Sequence, residues 1–224
     1  MFSESDNFID NVTQVVLQNQ GLHFASQREA QQHLDKTRTE IRSLMRQSNA
    51  LFVEGLNHLA QNSLGHAHPY VATVAAKMLK NLDSAKKLKK IIDADVIGRE
   101  LSLLFFSDAV NAFYDCGDYH KELCVISVLI ALFPLNAQPY VYYGSLLWRK
   151  EGKESAEMFY SKIIEVIHDP ALDYFAADCF IKNGNGGKAR ELLQNAQKNP
   201  LMAEDIYKNV KQHIHDLIGQ CQPG

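Results

Sequence analysis

Nine histidines and four cysteines are the side chains of this 224-residue chain with the most chemical potential. His58, His66 and His68 stand near enough in sequence to approach one another around a break at Gly65, and His213 and His215 precede Asp216. A His-x-His pair in a loop, with no Cys or acidic ligand beside it, is a weak zinc signal, and no metal is expected. Cys116, Cys124, Cys179 and Cys221 form no CxxC pair and are too scattered for a disulfide framework, so they read as reduced packing residues. The frames GxxxxGK[ST], GxSxG and HExxH are missing, which removes the usual means of phosphate cradling, serine hydrolysis and zinc hydrolysis. Gly184-Asn185-Gly186-Gly187 is glycine-rich, but it lacks the neighbouring strand of a phosphate loop and reads as a turn. Enzymatic activity is not expected, and neither is a cofactor.

The elements that must position any site are helices. Hydrophobic residues make up 46% of the chain and charged ones 22%, an ordinary globular balance, while 12 Gly and 6 Pro are few enough to favour long regular segments. An all-α fold follows. The formal net charge of −3 gives little general attraction for nucleic acid or an anionic membrane. The N-terminus, MFSESDNFID, is acidic where a signal peptide is basic, and no 18-residue apolar run occurs, so a cytoplasmic protein without membrane insertion is expected.

Along the chain, Phe8, Ile9, Val12, Val15 and Val16 predict a short helix over 5–20 that stops at Gly21. Ser26-Gln27-Arg28-Glu29 fits a capping box for a long helix. Its narrow stripe, Leu34, Ile41, Leu44, Met45, Leu51, Phe52, Leu56 and Leu59, suits either a partner helix or a helix lying across its own domain. After a break at Ser63–Pro69, helix resumes through Val71, Val74, Ala75, Met78, Leu79 and Leu82, with Pro69 in its first turn. Lysines 77, 80, 86, 87, 89 and 90 face only Asp83, a run that suits either an acidic partner or a solvated face. Asp93 and Asp95 are N-cap candidates for a helix carrying Ile97, Leu101, Leu104 and Phe105.

From Leu103 onward the pattern repeats. A frame of about 34 residues places Phe106, Phe113, Gly117, Tyr119, Ile126 and Pro134 at signature positions of a tetratricopeptide repeat. The next frame places Tyr140, Gly144, Leu147, Ala156 and Tyr160, and the third Ala177, Phe180, Gly184, Ala189 and Ala196. Small residues at positions 8 and 20 let the two helices of a repeat approach, aromatics at 4, 11 and 24 fill the space between them, and glycine near 15 permits the tight turn. Val110 at the first small position and Glu122 at the second depart from the pattern. The predicted organisation is an N-terminal helical extension over 1–84, then an α-solenoid of three tandem hairpins over 85–218. The repeats span about 103–136, 137–169 and 170–200, a capping helix covers 201–218, and Gln220–Gly224 fray. Met202, Ile206, Val210, His213, Ile214 and Leu217 mark the inner stripe of the cap.

In such a stack the first helix of each repeat lines the concave face. Its groove positions are Ser107, Asn111 and Tyr114 in the first repeat, Val141, Ser145, Trp148 and Arg149 in the second, and Tyr174, Asp178, Ile181 and Lys182 in the third. Tyr114, Trp148 and Tyr174 offer pockets for Pro or Leu side chains, while Asn111, Ser145 and Asp178 offer hydrogen bonds to a peptide backbone. Trp148 is the strongest single anchor. Each of these aromatics reads equally as core.

The stretch Phe106-Ser107-Asp108-Ala109-Val110-Asn111-Ala112-Phe113-Tyr114, then Cys116-Gly117-Asp118-Tyr119, resembles the first repeat of the class II translocator chaperones of type III secretion systems, the low-calcium-response or SycD-like class. His168-Asp169-Pro170, Tyr174-Phe175-Ala176-Ala177-Asp178-Cys179-Phe180, Gly184, Lys188-Ala189 and Asn195-Ala196-Gln197 resemble that family's third repeat and the junction before it. The resemblance covers about 85–218, and the N-terminal third departs from the family's short arm. It implies a cytosolic, nucleotide-free chaperone that holds an unfolded segment of a secreted translocator or effector before export. The apolar stripe of the N-terminal helices, apart from the resemblance, suits a homodimer. The alternative is a scaffold or assembly subunit of protein–protein interactions whose N-terminal helices mediate oligomerisation.

Overall fold

The computed structural model describes residues 32, 36, 39–41, 43–44, 48–62, 68–95 and 100–220, and among these the chain is all-α, without a strand. The helix expected over 5–20, the capping box at Ser26–Glu29 and residues 221–224 lie outside the described residues. The chain divides into two compact units, one ending at Leu135 and the other beginning at Asn136.

In the first unit, α1 spans Asn49–Gln61, α2 Pro69–Leu79, α3 Ala85–Asp95, α4 Glu100–Asp115 and α5 Tyr119–Leu132. The long helix expected through Leu34 and Leu59 is interrupted at Ser48. Its extended backbone (φ −127°, ψ 152°) and an oxygen that accepts from Leu51 N start a new helix there. Pro69 opens α2 as expected, behind an N-cap formed by His68. Asp93 and Asp95 are not N-caps. They end α3, where Lys89 Nζ reaches Asp93 Oδ2 at 2.8 Å and Lys77 Nζ reaches Asp95 Oδ2 at 3.0 Å, so part of the lysine run is spent on local pairs.

Helix α5 organises this unit. Every residue from Cys124 to Leu132 is buried, which requires neighbours around the whole circumference of the helix. Helix α4 packs on one side to form the first predicted hairpin, and α1 packs on another, burying Phe52, Gly55, Leu56 and Leu59. Helix α2 lies against α1, and its Val71, Val74, Ala75 and Met78 are buried. The apolar stripe at 51–59 is therefore used within the chain, and the first hairpin shares its unit with the helices before it. A Cβ on Gly55 would stand 2.2 Å from the carbonyl oxygen of Cys124, so only glycine permits the approach of α1 to α5.

In the second unit, α6 covers Ala137–Glu151, α7 Lys153–Ile163, α8 Pro170–Lys182 and α9 Gly186–Gln197. These are the second and third predicted hairpins. The Gly184 turn has φ 81°, and the first hairpin turns in the same way at Gly117 with φ 68°. A Cβ on Gly144 would meet the Tyr160 ring at 2.3 Å, and Ala156, Ala177 and Ala189 are fully buried, as the small positions of the repeat demand. The single capping helix expected over 201–218 is instead two 3₁₀ turns, Pro200–Ala203 and Asp205–Tyr207, followed by α10 at Lys208–Gln220. Asn199 accepts from Leu201 N to start the first turn, and Glu204 is extended (ψ 143°), which breaks the run before α10. Ile206, expected on the inner stripe, is exposed, whereas Met202, Ile214 and Leu217 are buried.

Candidate functional site

The second unit carries most of the predicted peptide-binding face. Helix α8 packs against both α6 and α7, so the first helices of successive hairpins are neighbours, as a tandem repeat requires. The turn after α8 is tied back to α7. Glu157 accepts from Asn183 Nδ2 at 2.6 Å and from Asn185 Nδ2 at 2.8 Å, and Asn183 also donates to the Lys153 carbonyl at 3.1 Å. These bonds, Asn185 foremost and then Asn183, hold the Glu157 carboxyl below its ordinary pKa.

On α6, Val141, Ser145 and Trp148 follow one another at helical spacing, as do Tyr174, Asp178 and Ile181 on α8. Val141 is buried and belongs to the core, where its carbonyl lies 3.4 Å from Tyr160 Oη. Ser145, Trp148 and Arg149 are half-buried. Tyr174, Asp178 and Ile181 are also half-buried, and Lys182 is exposed and paired with Asp178. That pair occupies one Asp178 oxygen expected to be free for a peptide. Tyr174 meets Phe175 edge-on at 5.2 Å and lies 5.9 Å from the His213 ring of α10, and Phe175 is itself 38% exposed. Phe175 extends the aromatic surface beyond the predicted set.

In the first unit, Asn111 is exposed and Tyr114 is 49% exposed, while Ser107 is buried and its hydroxyl oxygen has no hydrogen-bond partner among the described residues. Ser107 thus sits inside the helix packing and not on a binding face. Sequence spacing places a residue on the inner side of a helix, but only the neighbouring helices decide whether that side is covered.

Two i, i+4 pairs that sequence reading passed over face each other across α1 and α5. Glu54 and His58 stand on α1, and His120 and Cys124 on α5. His120 Nε2 lies 2.9 Å and His58 Nε2 3.4 Å from Glu54 Oε1, and Cys124 Sγ lies 3.7 Å from His120 Nε2. Burial opposes ionisation of Glu54, but hydrogen bonds and charge from His120, then from His58, hold its carboxyl below the ordinary value. Burial, with the Glu54 carboxylate alongside, pushes the Cys124 thiol up to about 12, so it is not a nucleophile in this state. The two pairs are 66 residues apart, and the only local sign was ligand-type residues at i, i+4 within helical segments. Of the histidines around the Gly65 break, only His58 stands by this cluster among the described residues. His68 stacks on Phe105 at 4.1 Å and its Nδ1 accepts from Tyr70 N, and His66 lies outside the described residues.

Among the described residues no helix is long and apolar enough to cross a membrane. Comparison of the chain with protein-family models, with curated proteins and with solved structures finds no match.

Proposed function

We propose that this protein is a helical-repeat peptide-binding chaperone that holds an extended apolar segment of a secreted translocator or effector through the faces of α6 and α8. The supporting observation is that two adjacent first helices both carry half-buried residues at the predicted positions, Ser145 and Trp148 on α6 and Tyr174 and Ile181 on α8, with exposed Phe175 next to Tyr174. Side chains that are neither in the core nor fully solvated present apolar area at little additional ordering cost, which is what an extended ligand exploits. Arg149 and the Asp178–Lys182 pair frame the row with polar groups that fix orientation. Covering the apolar anchors of a membrane-inserting client keeps it from aggregating before export, and binding alone supplies the free energy. The resemblance of residues 85–218 to the type III secretion chaperones supports this choice of client class.

Co-expression with a secreted protein bearing an apolar segment tests the reading. Trp148→Ala and Tyr174→Ala should each reduce co-purification sharply and leave the client insoluble, while circular dichroism shows the chaperone still helical. Tyr114→Ala extends the test to the first hairpin. Undiminished capture by both Trp148→Ala and Tyr174→Ala would refute the assignment of this face.

A further inference from the structure

We propose that Glu54, His120 and Cys124 form a divalent transition-metal site, with zinc as the fitting ion, that clamps α1 onto α5. The ligating atoms of these three residues, on two different helices, all lie within 4.8 Å of one another. With metal–ligand bonds of about 2.0–2.3 Å, the edges of a tetrahedral site measure about 3.3–3.7 Å. The observed separations of 2.9 Å from Glu54 Oε1 to His120 Nε2 and 3.7 Å from His120 Nε2 to Cys124 Sγ bracket that range, so small side-chain movements complete the geometry.

The donor set is selective. Thiolate with imidazole favours zinc and its neighbours over magnesium or calcium, which take oxygen ligands, and a single carboxylate fits the zinc set. The backbone is already in place. Gly55, next to Glu54, allows α1 so near α5 that a Cβ would be 2.2 Å from the carbonyl oxygen of Cys124 itself, and it is this approach that brings the two i, i+4 pairs together. His58, one turn further along α1, places its Nε2 3.4 Å from the same Glu54 oxygen. Access is open, since the His120 side chain is 60% and that of Glu54 44% exposed. On binding, the Cys124 S–H proton passes to the buffer as the S–metal bond forms, with no change of oxidation state.

Cobalt(II) titration of the untagged full-length protein tests this directly. Wild type should take up one equivalent with the visible bands of a tetrahedral site and a near-ultraviolet thiolate-to-cobalt band, and zinc should bleach both. Cys124→Ser should lose the thiolate band and Cys116→Ser should keep it. Glu54→Gln and His120→Ala, both at exposed side chains, should weaken affinity by at least about tenfold, the lower limit for disturbing even an outer-shell partner. Zinc should also raise the melting temperature of wild type and not of His120→Ala, with circular dichroism confirming that each metal-free variant is folded. A thiolate band that persists in Cys124→Ser, or an affinity unchanged in both Glu54→Gln and His120→Ala, overturns the site.

Discussion

Asp173 sits in the first turn of α8 and is only 9% exposed, with no hydrogen bond to its carboxylate among the described residues. Burial, helped by the charge of Asp169 one turn earlier, raises its pKa from an ordinary 3.8 to about 7. Between those two values the folded chain holds a proton that the unfolded chain has released. Folding therefore takes up a proton in that window, and stability falls as pH rises from about 4 to about 7 before levelling off. At about 1.4 kcal/mol per pH unit, the full loss is about 4 kcal/mol. Asp173→Asn keeps the shape and cannot ionise, so any fixed cost of its amide is the same at every pH. The stability of the variant minus that of wild type should be smallest near pH 4 and grow by about 4 kcal/mol towards pH 8. Urea unfolding followed by fluorescence gives the measurement, because the one tryptophan of the chain, Trp148, lies in the same unit on α6, a helix that packs on α8. A difference that stays constant over this range, or that shrinks as pH rises, would refute the reasoning.

Two further perturbations test the packing. Gly144→Ala places a methyl where the Tyr160 ring stands, and the overpacking cost of about 1–3 kcal/mol should exceed the helix-propensity gain of about 1 kcal/mol, giving a lower urea midpoint. Asp118→Ala removes the oxygen that caps α5 through Lys121 N, and should destabilise the first unit by about 1 kcal/mol in thermal unfolding. The accompanying surface pair of Asp118 with Lys121 adds little, so added salt should barely change that difference.

The hairpins were legible because their chemistry is local. Gly117 and Gly184 adopt positive φ at the turns, and Gly144, Ala156, Ala177 and Ala189 are small where helices meet. The ends of helices were less legible, because one side chain can serve two purposes. Asp93 and Asp95 have the composition of N-caps but close α3 by pairing with lysines, and Ser48 interrupts an apolar stripe that continues on both sides of it. The candidate face was half legible. Trp148 and Tyr174 fall at repeat positions that remain partly open, whereas Val141 and Ser107 occupy equivalent positions that neighbouring helices have covered. The cluster around Glu54 could not be read locally at all, since it depends on a helix crossing between segments 66 residues apart.

The enclosure of α5 by α1 on one side and α4 on another bears on how this protein can be cut. The segment that carries the resemblance, 85–218, crosses the boundary between the two compact units at Leu135–Asn136. A fragment starting at residue 85 would strip α1 from α5 and leave Cys124 and Val128, which meet Gly55, facing water. Such a fragment would be sticky for reasons unrelated to client recognition, and its capture of apolar peptides would imitate chaperone activity. A cut before Asn136 keeps each compact unit whole and isolates the Trp148 and Tyr174 face for study.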